Sequence, residues 1–291
     1  MPSTITGACF TTFNSHEVLV VRPSAYPLDG LKSKAGHQPG WQLLWGGLAL
    51  SYRLYVVVRH SIMVTLPSGL IVSCQAYAGE PLFGSAIMAA MARAAKEGGA
   101  VAIRANSPPD IAAIRAVTKL PIIGLYKLYS HTSEVYITPT RASASAIARA
   151  GCDIVAIDAT PRPRDGGETL ARLIPFIQAE LDKSVLADCA CLDDALAAVD
   201  LGVDFVGTTM AGYTTHGRAL TEGPDLDFVR ELVARVHTPV IAEGRFYTPE
   251  QAAQALALGA HAVCVGGAIT RPQDTTRRFI KAMTDVKTIK G

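Results

Sequence analysis

The chain has 291 residues, 49% of them hydrophobic and 18% charged, and its 27 Lys and Arg against 25 Asp and Glu leave a net charge of +2. A chain of this length holds one large domain or two small ones, with room for a sizeable core. The balanced charge and modest Gly and Pro content exclude a disordered or collagenous chain and provide no basic field for nucleic acid.

Residues 1–62 differ from the rest. They hold two acidic residues, Glu17 and Asp29, five basic ones, and both tryptophans of the chain, Trp41 and Trp45. No helical or alternating period is sustained across them. Three readings fit: a disordered extension, a small appended module, or upstream sequence translated from a misplaced start. The last is preferred, with Met63 as the natural initiator, and no function is assigned to this extension. The most apolar stretch, Trp41 to Val58, contains Arg53 and several polar residues. It is neither a membrane span nor a secretory signal, so a cytoplasmic location and no membrane partner are expected.

From Leu70 onward one plan repeats: an apolar run, a polar break, then a helical stretch. The runs are Leu70–Cys74, Ala100–Ile103, Pro121–Tyr126, Asp153–Ile157, Ser184–Ala187, Asp204–Gly207, Pro239–Ala242 and Ala262–Val265. Ala-rich segments of helical period lie between them, and Gly99, Gly151, Gly202 and Gly259 stand where a left-handed residue would close a helix. Near-continuous apolar strands imply burial on both faces, as in a parallel sheet covered by helices. Eight units at a spacing of about 27 residues predict a (β/α)8 TIM barrel over 63–291. A doubly wound open sheet is the alternative, but the G-x-G-x-x-G fingerprint is absent.

Barrel active sites lie at the C-terminal ends of the strands. The residues just past each run are Gln75, Arg104, Lys127, Asp158, Asp188, Thr208-Thr209, Glu243-Gly244 and Gly266-Gly267. Any one of them has a bland reading as a helix cap or a local ion pair. A whole ring of polar side chains after apolar strands points to a site. Gly244, Gly266 and Gly267, ending strands seven and eight, are candidates for holding a phosphate through backbone N–H groups, with Arg271 adding a charged fork. Lys127 and Glu243 would face each other across the mouth, as ends of strands three and seven. Neighbouring cations and partial burial can bring a lysine towards neutrality and make it a usable base. An acid and a base on opposite faces of one carbon is the arrangement that inverts a stereocentre.

The six cysteines do not form the framework of a secreted domain. Cys189-Ala-Cys191 raises the question of zinc, yet no second Cys or His pair stands at metal spacing, and no metal is expected. His131, His216, His237 and His261 likewise carry no ligand spacing. Tyr136 and Tyr213 either reach the site or simply pack.

The strings LIVSCQA, AIRAN, PIIGLYK, EVYITPT, AIDAT, ADCA, GTTMAGYT, IAEGR and VGGAITRP, in this order over about residues 66–283, resemble the N-acetylmannosamine-6-phosphate 2-epimerase family. The resemblance implies interconversion of N-acetylmannosamine 6-phosphate and N-acetylglucosamine 6-phosphate, a step in sialic acid catabolism, without metal or nucleotide. It implies Lys127 as the residue that moves the C2 proton and Glu243 as its partner. Gln75, Arg104 and Asp188 would hold and polarise the sugar, with Thr208 and Tyr213 as further substrate contacts, and Arg271 with Gly244, Gly266 and Gly267 would bind phosphate. The sequence departs from the family's usual residues at Cys189-Ala190-Cys191 and at Ala211, which puts hydroxyl contacts there in doubt. The expected partner is a small sugar phosphate, and a homodimer is admitted as the assembly. Two rivals stay open on the residues: a Schiff-base aldolase using Lys127, and a non-catalytic sugar-phosphate sensor on a barrel scaffold.

Overall fold

The structure is a computed structural model. It describes the backbone of residues 8–13, 16–21, 41–45 and 55–59, residues 65–285 in full, and the backbone of 286–289. The chain divides into two compact units, 1–63 and 64–291. Met63, read as an initiator, lies outside the described residues.

In the first unit, β1 (Ala8–Phe13), β2 (His16–Val21), β3 (Trp41–Trp45) and β4 (Tyr55–Arg59) form an antiparallel sheet in the order β1-β2-β4-β3. The valine-rich HEVLVV and YVVVR segments form its two central strands, consistent with the strand preference of β-branched residues. These runs are too short, and too uniformly apolar, to carry an alternating signal.

The second unit is a closed barrel of eight parallel strands: β5 (Gly69–Cys74), β6 (Ala102–Asn106), β7 (Ile122–Leu125), β8 (Ile154–Asp158), β9 (Ser184–Asp188), β10 (Phe205–Gly207), β11 (Val240–Glu243) and β12 (Ala262–Val265). The ring closes where β12 pairs with β5, Ala262 opposite Gly69 and Val265 opposite Val72. Helices α1 (Ser85–Glu97), α2 (Pro108–Val117), α3 (Arg141–Arg149), α4 (Leu170–Pro175), α5 (Leu192–Asp200), α6 (Leu226–Arg235), α7 (Pro249–Ala257) and α8 (Pro272–Ile289) alternate with the strands.

Local sequence explains the punctuation. Thr140 and Thr248 cap α3 and α7 in reciprocal capping boxes with Ser143 and Gln251. Gly99, Gly151, Gly202 and Gly259 have φ of +93°, +102°, +82° and +100°, the left-handed conformation expected past helix ends. At Gly124 in β7 an added Cβ would lie 2.6 Å from Cys152 Cβ, so only glycine lets the turn after α3 approach this strand. No helix of the described residues is long and apolar enough to cross a membrane.

The strands carry two cores, one on each face. Ile71, Ala102, Ile123, Leu125, Ile154, Ala156, Leu186, Ile241, Ala262 and Cys264 pack inside the barrel. Val72, Ile103, Ile122, Val155, Ile157, Val185, Ala187 and Val206 pack outward against helix residues such as Ile111, Ile147 and Phe228. The period-2 alternation of a strand therefore decides which polar residues face the lumen. Counting on from the inward apolar residues brings Ser73, Arg104, Lys127, Asp158, Asp188 and Glu243 to the inside at the C-terminal mouth.

Candidate active site

The centre of the mouth is a buried ionic cluster. Arg104, 1% exposed, donates Nη1–H to Asp188 Oδ1 at 3.0 Å and Nη2–H to Asp188 Oδ2 at 2.6 Å. Its Nη1 also lies 2.9 Å from Glu243 Oε2. Thr209 Oγ1 donates to Asp188 Oδ1 at 2.5 Å. Its apolar run places Arg104 just past the strand. It is instead the third residue of β6, two residues inside the strand end, because the strand runs on through Ala105 to Asn106. Burial works against its charge, and the carboxylates of Asp188 and Glu243 outweigh that and hold the guanidinium protonated. Burial pushes the Glu243 carboxyl above its ordinary value; Arg104 pulls the other way and Asp188 adds to the rise.

Lys127 follows β7 by two residues and forms an isolated antiparallel bridge with Ile137. Its backbone N–H donates to Asn106 Oδ1 at 2.9 Å, which ties the end of β7 to the end of β6. Its Nζ donates to the Tyr77 hydroxyl at 2.7 Å. Burial, then the charge of Arg104, lower the Lys127 amine to about 8, while Tyr129 and Glu243 oppose the fall. Lys127 and Glu243 each act on the charge of the other. They stand on opposite sides of the same ring of strands, separated by β8, β9 and β10 one way and by β6, β5 and β12 the other.

Beside this cluster opens a cleft of about 420 Å³ lined by Glu243, Gly244, Arg245, Gly266, Gly267, Arg271, Arg277 and Arg278. All four residues expected to bind phosphate line it. Gly244 has φ +110°, and its missing Cβ would meet nothing within 4 Å; the constraint there is conformational rather than steric. Arg271 pairs with Glu80, lies 3.5 Å from Asp274 Oδ2, and sits over the Tyr77 ring with Cζ 4.9 Å from the centroid. Its Nε is buried without a hydrogen-bond partner among the described residues. Four arginines on one small cleft provide the field and the donors for an anion.

The remaining expected residues separate. Gln75 donates Nε2–H to Ser73 Oγ at 2.7 Å, and its buried Oε1 has no partner among the described residues, so it retains an open acceptor. Tyr213, 54% exposed, lines the cleft with its ring under Arg245, 5.3 Å from the guanidinium carbon. Thr208 does not face the lumen. Its hydroxyl donates to Glu243 O at 2.8 Å and accepts from Glu243 N–H at 2.9 Å, clamping β10 to β11. One residue of strand parity makes Thr209 the inward hydroxyl instead. Asp158 is inward but committed: it accepts from Thr160 N–H and Oγ1–H and from Arg162.

Tyr77, Asn106 and Arg245 also border the mouth and are not among the residues just past each apolar run. Tyr77 is legible in principle, two residues and so one full strand period beyond Gln75; of the Thr208-Thr209 pair, parity selects Thr209. Asn106 was hidden by ending the β6 run at Ile103, and Arg245 by stopping at Gly244.

Comparison with known proteins follows the same line. Residues 88–285 match a family described as "Putative N-acetylmannosamine-6-phosphate epimerase". A relative from Enterobacter sp. (strain 638), named "Putative N-acetylmannosamine-6-phosphate 2-epimerase", is 50% identical over 226 residues, covering 77% of this chain and 96% of its own. One of the same name from Caldanaerobacter subterraneus subsp. tengcongensis is 48% identical over 224 residues, covering 77% and 94%. The solved N-acetylmannosamine-6-phosphate 2-epimerase from Clostridium perfringens superposes with a TM-score of 0.74 at 43% identity, over 81% of this chain and all of that one.

Proposed function

The chain belongs to the N-acetylmannosamine-6-phosphate 2-epimerase family, and on that premise we propose that it interconverts N-acetylmannosamine 6-phosphate and N-acetylglucosamine 6-phosphate through the side chains at its barrel mouth. It is an isomerase of amino-sugar breakdown, including that of sialic acid. The observation that carries the residue assignment is that the amine of Lys127 and the carboxyl of Glu243, both shifted towards neutrality, face one lumen beside an arginine-lined cleft.

The chemistry follows from the substrate. The proton on C2 becomes acidic once C1 is an open-chain aldehyde, and its removal leaves negative charge on the aldehyde oxygen. Neutral Lys127 takes the C2 proton from one face and becomes an ammonium. Protonated Glu243 returns a proton from the other and becomes a carboxylate; the roles exchange in the reverse direction. Arg104, held charged by Asp188, faces the developing oxygen charge, and the open acceptor of Gln75 takes a hydroxyl or amide N–H of the sugar. The phosphate, placed in the cleft of Gly244, Gly266, Gly267 and Arg271, supplies remote binding energy that positions C2. Positioned acid–base groups contribute about 10²–10⁴-fold each. The route needs no metal or nucleotide. A cytoplasmic setting agrees with the five described cysteines being free.

Proton NMR of either sugar phosphate in deuterated water tests this. The epimer forms carrying deuterium at C2, and Lys127→Met and Glu243→Gln both lose the conversion. Conversion with the original hydrogen kept at C2 would overturn the proton-transfer reading.

A further inference from the structure

Three donors of different chemistry meet at the start of α5. Cys191 is the N-cap of that helix, Asp194 lies in its first turn, and His216 comes from the loop between β10 and α6. One donor atom from each, a thiol sulfur, a carboxylate oxygen and a ring nitrogen, lies within 4.8 Å of the other two. Asp194 Oδ2 and His216 Nε2 are 3.4 Å apart. Two donors each sitting about 2.1 Å from one tetrahedral ion stand at about this separation.

The cluster is held in place before any ion arrives. Asp194 is 5% exposed, and its Oδ2 accepts from Ala190 N–H at 2.9 Å, a bond of the kind that orients a ligating carboxylate. The turn bearing His216 is docked on the residue before Cys191, with Arg218 N–H donating to Ala190 O at 3.1 Å. That approach needs Gly217, since a Cβ there would lie 2.6 Å from Ala190 Cβ. Arg218 is fixed in turn by Asp225 and Glu231, at 2.6 and 3.0 Å.

We propose that Cys191, Asp194 and His216 bind one Zn²⁺, with solvent at the fourth position. The thiolate selects a borderline-soft ion over Mg²⁺ or Ca²⁺, and three protein ligands of mixed N, O and S type suit zinc. Binding exchanges the Cys191 thiol proton for the ion and releases that proton to solvent. The ion pins residues 208–225 to the start of α5, and this loop carries Tyr213 on the wall of the cleft. The site stands apart from proton transfer at Lys127 and Glu243. Its ligands, at 191, 194 and 216, follow no contiguous sequence spacing, which is why reading the cysteines along the chain pointed to no metal.

The test uses the untagged full-length protein, stripped with a chelator and titrated with Zn²⁺ against a chromophoric competitor. One ion per chain is expected, with a higher melting temperature on binding. Co²⁺ in its place gives a thiolate-to-metal charge-transfer band and the intense visible bands of tetrahedral cobalt. Cys191→Ser abolishes the charge-transfer band, and each of Cys191→Ser and His216→Ala weakens zinc binding by about 100-fold or more, since loss of an outer-shell partner already costs about 10–100-fold. His216 is on the loop surface, so His216→Ala keeps the test open should the cysteine variant fold poorly. Absence of a saturable stoichiometric ion, or a cobalt thiolate band that survives Cys191→Ser, overturns the proposal.

Discussion

Asp188 holds Arg104 in a buried two-point fork, with bonds of 3.0 and 2.6 Å across 84 residues of sequence. The pair fixes the guanidinium plane at the barrel mouth, and Glu243 then meets the same guanidinium at 2.9 Å. In the proposed reaction Asp188 acts on substrate through Arg104. Asp188→Ala leaves a buried arginine charge with only part of its compensation and is expected to cost about 3–5 kcal/mol of stability. Asp188→Asn keeps the shape and costs less. Urea unfolding of the two variants measures the difference; equal losses would show that the fork is not what stabilises Arg104.

The amine of Lys127, lowered to about 8 from 10.5, sets a pH dependence of known sign. The basic form accumulates as pH rises, so kcat/KM is expected to climb through a midpoint near 8; a profile flat from pH 6 to 9 would refute this. Stability follows the same shift. Between about pH 8 and 10.5 only the unfolded chain holds the proton, so stability rises with pH across that window. Below it the folded state carries a partly desolvated ammonium, and Lys127→Met is expected to be the more stable protein at pH 7. Thermal melts of both proteins from pH 7 to 10 check this.

Tyr77 touches both halves of the site. Its hydroxyl accepts from Lys127 Nζ at 2.7 Å, and its ring lies 4.9 Å from the Arg271 guanidinium carbon. Tyr77→Phe keeps the ring and removes the acceptor that favours the ammonium. It is expected to lower kcat and move the Lys127 midpoint downward with KM nearly unchanged. Tyr77→Leu removes the ring as well and raises KM for the sugar phosphate. Steady-state kinetics over pH separate the two effects, and a KM change in Tyr77→Phe equal to that in Tyr77→Leu would refute the division.

Thr208 and Thr209 are adjacent and have different tasks. Thr208→Val breaks two bonds to the Glu243 backbone and is expected to cost about 1–3 kcal/mol of stability. Thr209→Val removes the hydroxyl that donates to Asp188. Its expected effect is on catalysis, about tenfold in kcat, equivalent to about 1.4 kcal/mol of barrier. Unfolding and turnover measured together on both variants decide whether parity assigns these roles.

Lys127, Asp188 and Glu243 stand at the mouth, at or just past the ends of their apolar runs, because a barrel strand ends where its lumen opens. Apolar character alone does not fix the register to one residue. The β6 run ended early at Ile103, which made Arg104 a rim residue rather than one inside the strand and hid Asn106. Thr208 and Thr209 stand side by side past their apolar run, yet successive residues along a strand face opposite sides. Arg271 lines the same cleft as Gly266 and Gly267, and its contacts with Glu80 and Tyr77 come from the loop after β5, almost two hundred residues earlier.

Local order was written in the chain itself. Eight apolar runs, the glycines that end helices, and the polar residues after each run are short-range signals, and short-range backbone preferences act on them without help from the rest of the molecule. Closure of β12 onto β5, the fork joining residues 104 and 188, and the meeting of Cys191 with His216 belong to the folded barrel. Burial and ion pairing depend on distance in space, and that distance exists only once eight strands have closed into a ring.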